Sequence, residues 1–258
     1  MKKPEQPIGV FDSGVGGISV LRELVTLMPN ENYIFYGDSK NAPYGTKTLE
    51  EVQLLTVQDA AHLYEQGVKA LIVACNTATS AAVHLLREKY VDIPVIGIEP
   101  ALKPAVLSKE KPKVLVMATP MTLREEKFHQ LMMRFQNEAQ IFSLPCPGLV
   151  EFVERGELDS PQLESFLKQL FSNYEKDGID AVVLGCTHYP FVKEMIQKVL
   201  GEQVQLFDGG LGTARETKRK LKEFHLLNPS TEKGTVIFQN SLAEEKIIQL
   251  SEYLLWHN

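Results

Sequence analysis

The chain has 258 residues, 44% of them hydrophobic and 23% charged, with a net charge of −6 at pH 7. These values exclude wholesale disorder, and the acidic balance excludes a general nucleic-acid binder, which needs a basic face to neutralise phosphates. No secretory apolar run precedes residue 8, and the longest uncharged stretch, residues 70–86, holds Asn76, several threonines and His84, so a cytoplasmic protein with no membrane span is expected.

Short β-branched runs alternate with longer amphipathic segments, the pattern of βα units around a mostly parallel sheet. A strand over 8–12 ends at Asp12 and runs into Gly14-Val-Gly16-Gly17, which opens a helix. A second strand over 33–37 leads to Asp38. Thr48 and Glu51 have the spacing of a capping box, and Gly67 can end that helix in the left-handed conformation. Strands over 69–75 and 94–98 follow, the first ending at Cys75. Further strands over 113–118, 139–144, 180–186 and 203–207 are separated by helices, and Cys186 ends the third of them. A strand over 235–238 precedes a last helix over 241–256, expected to open behind Ser241 with Glu244 three residues on.

Part of this order is written twice. Gly67-Val-Lys-Ala-Leu-Ile-Val-Ala-Cys75-Asn-Thr aligns without a gap on Gly178-Ile-Asp-Ala-Val-Val-Leu-Gly-Cys186-Thr-His. At nearly the same offset, Ile8-Gly-Val-Phe-Asp-Ser13 answers Val114-Leu-Val-Met-Ala-Thr119, and Val95-Ile-Gly-Ile-Glu99 answers Val204-Gln-Leu-Phe-Asp208. Two similar α/β domains with mostly parallel sheets are expected: residues 1–99 with 209–258, and residues 100–208. The active site is expected in the cleft between them.

A strand's carboxyl end is where open α/β sheets place ligands, so both cysteines stand where chemistry happens. The glycine loop after Asp12 is a poor dinucleotide fingerprint, because Ser19 replaces the third glycine and Asp12 puts a carboxylate at the phosphate, although Asp38 lies about where a ribose acid would. It reads instead as backbone N–H groups suited to a small anion such as a substrate carboxylate. Cys146, between two prolines, reads as packing, and three cysteines without a CxxC spacing make no disulfide framework. Cys75, Cys186 and His188 could together offer three zinc ligands, but without the usual short-range spacing. Lys218, Arg219, Lys220 and Lys222 read as a solvated helix face. Two thiols facing each other across a cleft suit proton transfer: one removes a proton from a carbon and the other delivers one to the opposite face. Asp12, Asp38, Glu154 and His188 could tune those thiols or hold a substrate ammonium.

The chain resembles the glutamate racemases of the cofactor-independent aspartate/glutamate racemase superfamily. The stretches that carry the resemblance are Ile8-Gly-Val-Phe-Asp-Ser-Gly-Val-Gly-Gly17, Tyr36-Gly-Asp38, Ala42-Pro-Tyr-Gly45, Ala74-Cys-Asn-Thr-Ala-Thr79, Leu184-Gly-Cys-Thr-His-Tyr-Pro190 and Thr213-Ala-Arg215. The resemblance implies an isomerase that racemises glutamate at Cα between Cys75 and Cys186, with no pyridoxal phosphate, other cofactor or metal. It implies that Cys75 acts on D-glutamate and Cys186 on L-glutamate, with Asp12 and His188 assisting. Substrate contacts are implied for Asp12, Ser13, Tyr44, Gly45, Asn76, Thr77, Thr187 and His188, and Thr119, the repeat counterpart of Ser13, joins them. Asp38 and Glu154 match acidic positions that could assist. The resemblance also implies a homodimer that supplies D-glutamate for peptidoglycan. Asn41 and Gly209 depart from the family, where arginine, and serine or proline, are common. A racemase for aspartate or another amino acid, or an amino-acid binding protein without catalysis, remains the alternative.

Overall fold

Strands of parallel sheets are covered on both faces and therefore read as continuous apolar runs. The computed structural model describes residues 2–174 and 178–257. Met1 and Asn258, the outer ends of the first expected division, and residues 175–177 of the second lie outside the described residues. The first sheet is built from β1 (Ile8–Asp12), β2 (Tyr33–Gly37), β3 (Ala70–Val73) and β4 (Val95–Gly97), and the second from β5 (Lys113–Ala118), β6 (Gln140–Pro145), β7 (Ala181–Leu184) and β8 (Gln205–Asp208). A late strand, β9 (Val236–Asn240), returns to pair with β2.

The first half carries α1 (Ile18–Leu27), α2 (Leu49–Glu65) and α3 (Asn76–Lys89), and α4 (Leu102–Val106) follows β4. The second carries α5 (Pro120–Arg124), α6 (Glu126–Met133), α7 (Leu149–Glu154), α8 (Pro161–Leu170) and α9 (Lys193–Leu200). After β8 come α10 (Gly210–Glu223) and α11 (Glu245–Trp256), both packed on α1.

The sheet orders are β4-β3-β1-β2-β9 and β6-β5-β7-β8, and every pairing is parallel. Replacing each of the first four strands by its repeat partner turns β4-β3-β1-β2 into β8-β7-β5-β6, which is the second sheet read from its other edge. The α/β class and the internal repeat are both realised. One apolar cluster runs through both halves and includes Val15, Ile18, Met117, Leu149 and Tyr189, so the halves meet over a shared core.

Local signals succeed unevenly. Thr48 Oγ1 accepts from the Glu51 N–H while Glu51 accepts from the Thr48 N–H, and Gly67 sits at φ +83° behind α2. The same spacing at Ser241 makes no cap. Ser241 Oγ is taken by the Lys40 N–H at 2.9 Å, Ala243 turns at φ +52°, and α11 starts only at Glu245. The two cysteines also lie just beyond their strands rather than at their last residues. The ladders end with Ala74 N–H to Phe11 and Gly185 N–H to Met117, and the chain then turns away. Of the basic residues in α10, Arg219 and Lys220 pair with Glu216 and Glu223, and Lys218 donates to the Leu27 carbonyl, a solvated face as expected. No helix among the described residues is long and apolar enough to cross a membrane.

Candidate active site

The two thiols occupy equivalent places in the two sheets. Cys75 follows β3 and caps α3, its sulfur accepting from the Ala78 N–H at 3.4 Å and facing Ser13 Oγ at 3.6 Å. Cys186 follows β7, and its sulfur faces His188 Nδ1 at 3.6 Å. Only 5% of Cys75 and 7% of Cys186 is exposed, so both sulfurs are screened from water. A cavity of about 980 Å³ opens beside the ends of β4 and β8, against Pro100, Phe207 and Leu211, and neither thiol lines it.

The glycine loop does something other than the sequence leads one to expect. Two of its N–H groups are already taken by carboxylates of the protein: Gly14 donates to Asp12 at 3.0 Å and Val15 to Glu154 at 2.8 Å. Glu154, at the end of α7, also accepts from Ser39 Oγ at 3.3 Å and lies 2.6 Å from His188 Nε2. Glu154, His188 and Cys186 therefore form a line in which the imidazole has a carboxylate on one nitrogen and a sulfur on the other. The missing side chains explain the glycines. A Cβ on Gly14 would lie 1.9 Å from Glu154 Oε1, and one on Gly16 would lie 2.2 Å from His188 Nδ1. The space that a bound pyrophosphate would need is filled by these two side chains, which removes the nucleotide reading.

Contacts that cross between the halves ring the thiols. Thr187 Oγ1 donates to Asp12 at 3.0 Å, and Ser19 Oγ donates to the Thr187 carbonyl at 2.8 Å. Thr77, Thr119 and Thr122 form a triangle of hydroxyls with edges of 3.0, 3.2 and 2.9 Å. Gly45 lies against this triangle, where a Cβ would come within 2.5 Å of Thr119. Asn76 is buried, and its side-chain oxygen has no hydrogen-bond partner. Tyr44 and Asp38 lie further back, joined at 2.7 Å. The other candidate residues gather around the thiols, with Tyr44 and Asp38 behind them. Sequence reading missed Ser19, Asp59 and Thr122, polar side chains that the fold buries, and the partly buried Ser39, which carries no signal of its own.

Charge is concentrated at the thiols. Burial raises Asp12 above the usual carboxylate range, with His188 opposing and Glu154 adding to the shift. Burial and the Asp12 carboxylate together push the Cys75 thiol up to about 12, so it is protonated at neutral pH. Burial disfavours a charged His188, but its contacts with Cys186 and Glu154 outweigh that and raise it well above the ordinary imidazole value. Among the described residues, no group of three or more His, Cys, Asp or Glu side chains is placed to hold a metal ion. Both nitrogens of His188 face protein groups, so the geometry does not form a ligand set from Cys75, Cys186 and His188.

Cys146 is buried in the core and donates to the Leu144 carbonyl at 3.2 Å. Cys146→Ala is expected to cost about 1 kcal/mol of stability and to leave kcat/KM unchanged within about twofold. A large loss of turnover with the fold intact would show that this thiol takes part in the chemistry.

A family model of Asp/Glu/hydantoin racemases matches residues 8–217. The chain is 54% identical over 255 residues to the glutamate racemase of Clostridium botulinum (strain Alaska E43 / Type E3), covering 99% of both chains. Its fold is similar to that of the glutamate racemase of Francisella tularensis, solved with D-glutamate. The TM-score is 0.84 at 34% identity, over 98% of this chain and 94% of that one. A glutamate racemase isoform of Bacillus anthracis gives a TM-score of 0.88 at 31% identity, over 99% and 96% of the two chains.

Proposed function

Because the chain belongs to the Asp/Glu/hydantoin racemase family, we propose that it interconverts L- and D-glutamate, the Cα proton leaving to one of Cys75 and Cys186 as the other returns one. The observation that carries this reading is the pair itself: two buried thiols at equivalent strand ends of two like sheets, inside one ring of polar contacts.

From L-glutamate, the Cys186 sulfur as thiolate takes the Cα proton, and the electron pair of the broken C–H bond is left on the substrate as a carboxylate-stabilised carbanion. The Cys75 S–H then delivers its proton to the opposite face. D-Glutamate leaves, with Cys186 now protonated and Cys75 ionised, and exchange with solvent restores the start. D-Glutamate follows the reverse course. Burial and Asp12 keep the proton on Cys75, so this sulfur holds the hydrogen that the strongly basic carbanion takes. His188, held between Glu154 and Cys186, is placed to take or return the proton on the second sulfur.

The substrate ammonium has two acceptors: the Asp12 carboxylate and the unpaired Asn76 oxygen. A buried acceptor left unpaired costs stability, which a cationic donor recovers. The hydroxyls of Ser13, Thr77, Thr119 and Thr187, the backbone of Gly45 and the Tyr44 loop suit the two carboxylates. We read the chain as two domains, 1–99 with 209–258 and 100–208, a division supported by β9 pairing with β2. Glutamate reaches these buried thiols when the halves part. The reading extends to a cytoplasmic homodimer whose D-glutamate goes into peptidoglycan, in keeping with its three unpaired cysteines.

Isotope flow tests it. In deuterated water, D-glutamate formed early from L-glutamate is expected to carry deuterium at Cα, while the remaining L-glutamate stays protiated. Chiral separation followed by mass spectrometry reads both. Substantial protium retained in the product would mean a single base serving both faces. Faster turnover of L-aspartate would reassign the substrate, and binding of glutamate without turnover would reduce the protein to a binder.

A further inference from the structure

Asp59 stands in the middle of α2 and is 5% exposed, a buried carboxyl that the proton transfer does not use. The Tyr44 hydroxyl lies 2.9 Å from Asp59 Oδ2 and 2.7 Å from Asp38 Oδ2. One hydroxyl hydrogen cannot serve two ionised carboxylates. Asn41 Nδ2 stands 3.0 Å from each oxygen of Asp38, so Asp38 is dressed as an acceptor and takes the Tyr44 hydrogen. The oxygen of Tyr44 then faces Asp59 with lone pairs only. Two acceptors at that distance repel, so the hydrogen between them comes from Asp59.

We infer that Asp59 is a positioning residue for the substrate-binding loop: in its protonated form it donates to Tyr44, which donates to Asp38, and this ordered chain holds the loop of residues 38–46 on α2. The inference rests on the racemase reading for what the loop does, since Tyr44 and Gly45 are assigned there to substrate. Gly45 fits against Thr119 only while the loop keeps its place.

The surroundings keep the proton on Asp59. Burial raises its carboxyl to about 8, Asp38 adds to the rise, the Tyr44 hydrogen bond opposes it and Asp12 adds a smaller part. From β2, Tyr36 faces the same carboxyl, and His62 of α2 packs on the Tyr36 ring at 4.7 Å. From α3, His84, Arg87, Glu88 and Lys89 turn to solvent, and β3 carries no titratable side chain. The hydrogen-bond partners of Asp38 and Asp59, the Asn41 amide and the Tyr44 hydroxyl, are electrically neutral. The group is therefore neutral below about pH 8 and loses its proton as pH rises through that value. Above it two carboxylates face one hydroxyl and the loop loosens. Because the thiols are untouched, KM should move and kcat should not.

The experiment compares the full-length wild type with Asp59→Asn and Asp59→Ala from pH 6.5 to 9.5. In the wild type the KM for L-glutamate is expected to rise roughly tenfold towards high pH, the scale of one lost hydrogen bond. The amide of Asp59→Asn donates at every pH, so that variant should keep the wild-type KM at pH 7 and lack this part of the rise. Titration of the substrate itself is common to both profiles and drops out of their difference. Asp59→Ala should raise KM roughly tenfold throughout, with kcat little changed. An infrared difference spectrum of wild type against Asp59→Asn should show the carbonyl band of a protonated carboxyl at pH 6.5 that fades by pH 9.5. Absence of that band would overturn the proton assignment, whether or not glutamate is turned over. Its presence with identical KM profiles in wild type and Asp59→Asn would overturn the positioning role. If Asp59→Ala does not fold, the asparagine variant and the spectrum decide alone.

Discussion

Cys75→Ala and Cys186→Ala are each expected to lower racemisation by roughly 10³-fold or more in both directions, the upper range for losing a positioned acid or base. In the proposed mechanism inversion needs one group on each face of Cα, and each sulfur is assigned to one face. A thiol removed from either side therefore stops the L-to-D and the D-to-L reactions alike, although each thiol is the base in only one of them. The fold should survive. The hydrogen-bond contacts of the sulfurs are long, 3.4–3.6 Å, and truncation of one buried cysteine costs about 1 kcal/mol. Glutamate affinity should stay within a few fold, because the proposed carboxylate and ammonium contacts belong to other side chains. The readout is chiral analysis of product with circular dichroism of the protein alongside. A variant that keeps more than a few per cent of kcat with its fold unchanged would remove that sulfur from the mechanism.

The thiols are legible from the chain because their information is local and repeated: a buried strand, a small residue, a cysteine, then side chains able to hydrogen bond. Parallel strands are covered on both faces, so each announces itself as an apolar run, and most strand boundaries fall within a residue or two of expectation. What escapes is everything decided by how the halves dock. Glu154 reaches Val15 across 139 residues of sequence, and nothing near either residue marks that meeting. The loop looks ready for an external anion, yet the protein supplies its own. Asp59 hides for a similar reason, since nothing in its own helix marks the partner that Tyr44 brings from another segment. Thr48 and Ser241 carry the same cap spacing, but only Thr48 is left free to cap, because Lys40 arrives from another segment to claim Ser241.

Gly16→Ala should separate activity from stability. Neither Gly14 nor Gly16 has the positive φ that an alanine would resist, so the backbone accepts the change, and alanine in place of glycine restricts the unfolded chain by about 0.4–1 kcal/mol in favour of folding. The cost falls on the side chain it meets. At Gly16 the new methyl would sit 2.2 Å from Nδ1, 2.5 Å from Cε1 and 2.6 Å from Cγ of His188, inside the ring. The imidazole must leave, and with it go the 3.6 Å contact to Cys186 and the 2.6 Å contact to Glu154. If His188 carries the proton as proposed, its displacement is expected to reduce kcat from L-glutamate by roughly 10²-fold, with a smaller change in KM. At Gly14 the methyl meets Glu154 Oε1, the end of a side chain that can swing away. His188 then loses the carboxylate that helps to raise its pKa, so the alkaline limb of the rate profile should move to lower pH, with about tenfold less turnover at pH 7. Gly212, within α10, has nothing within 4 Å of an added Cβ and serves as the control. Gly212→Ala should be silent in turnover and slightly stabilising, by about 0.5–1 kcal/mol. Rates for Gly16→Ala equal to those of the control would mean that His188 has no part in moving the proton.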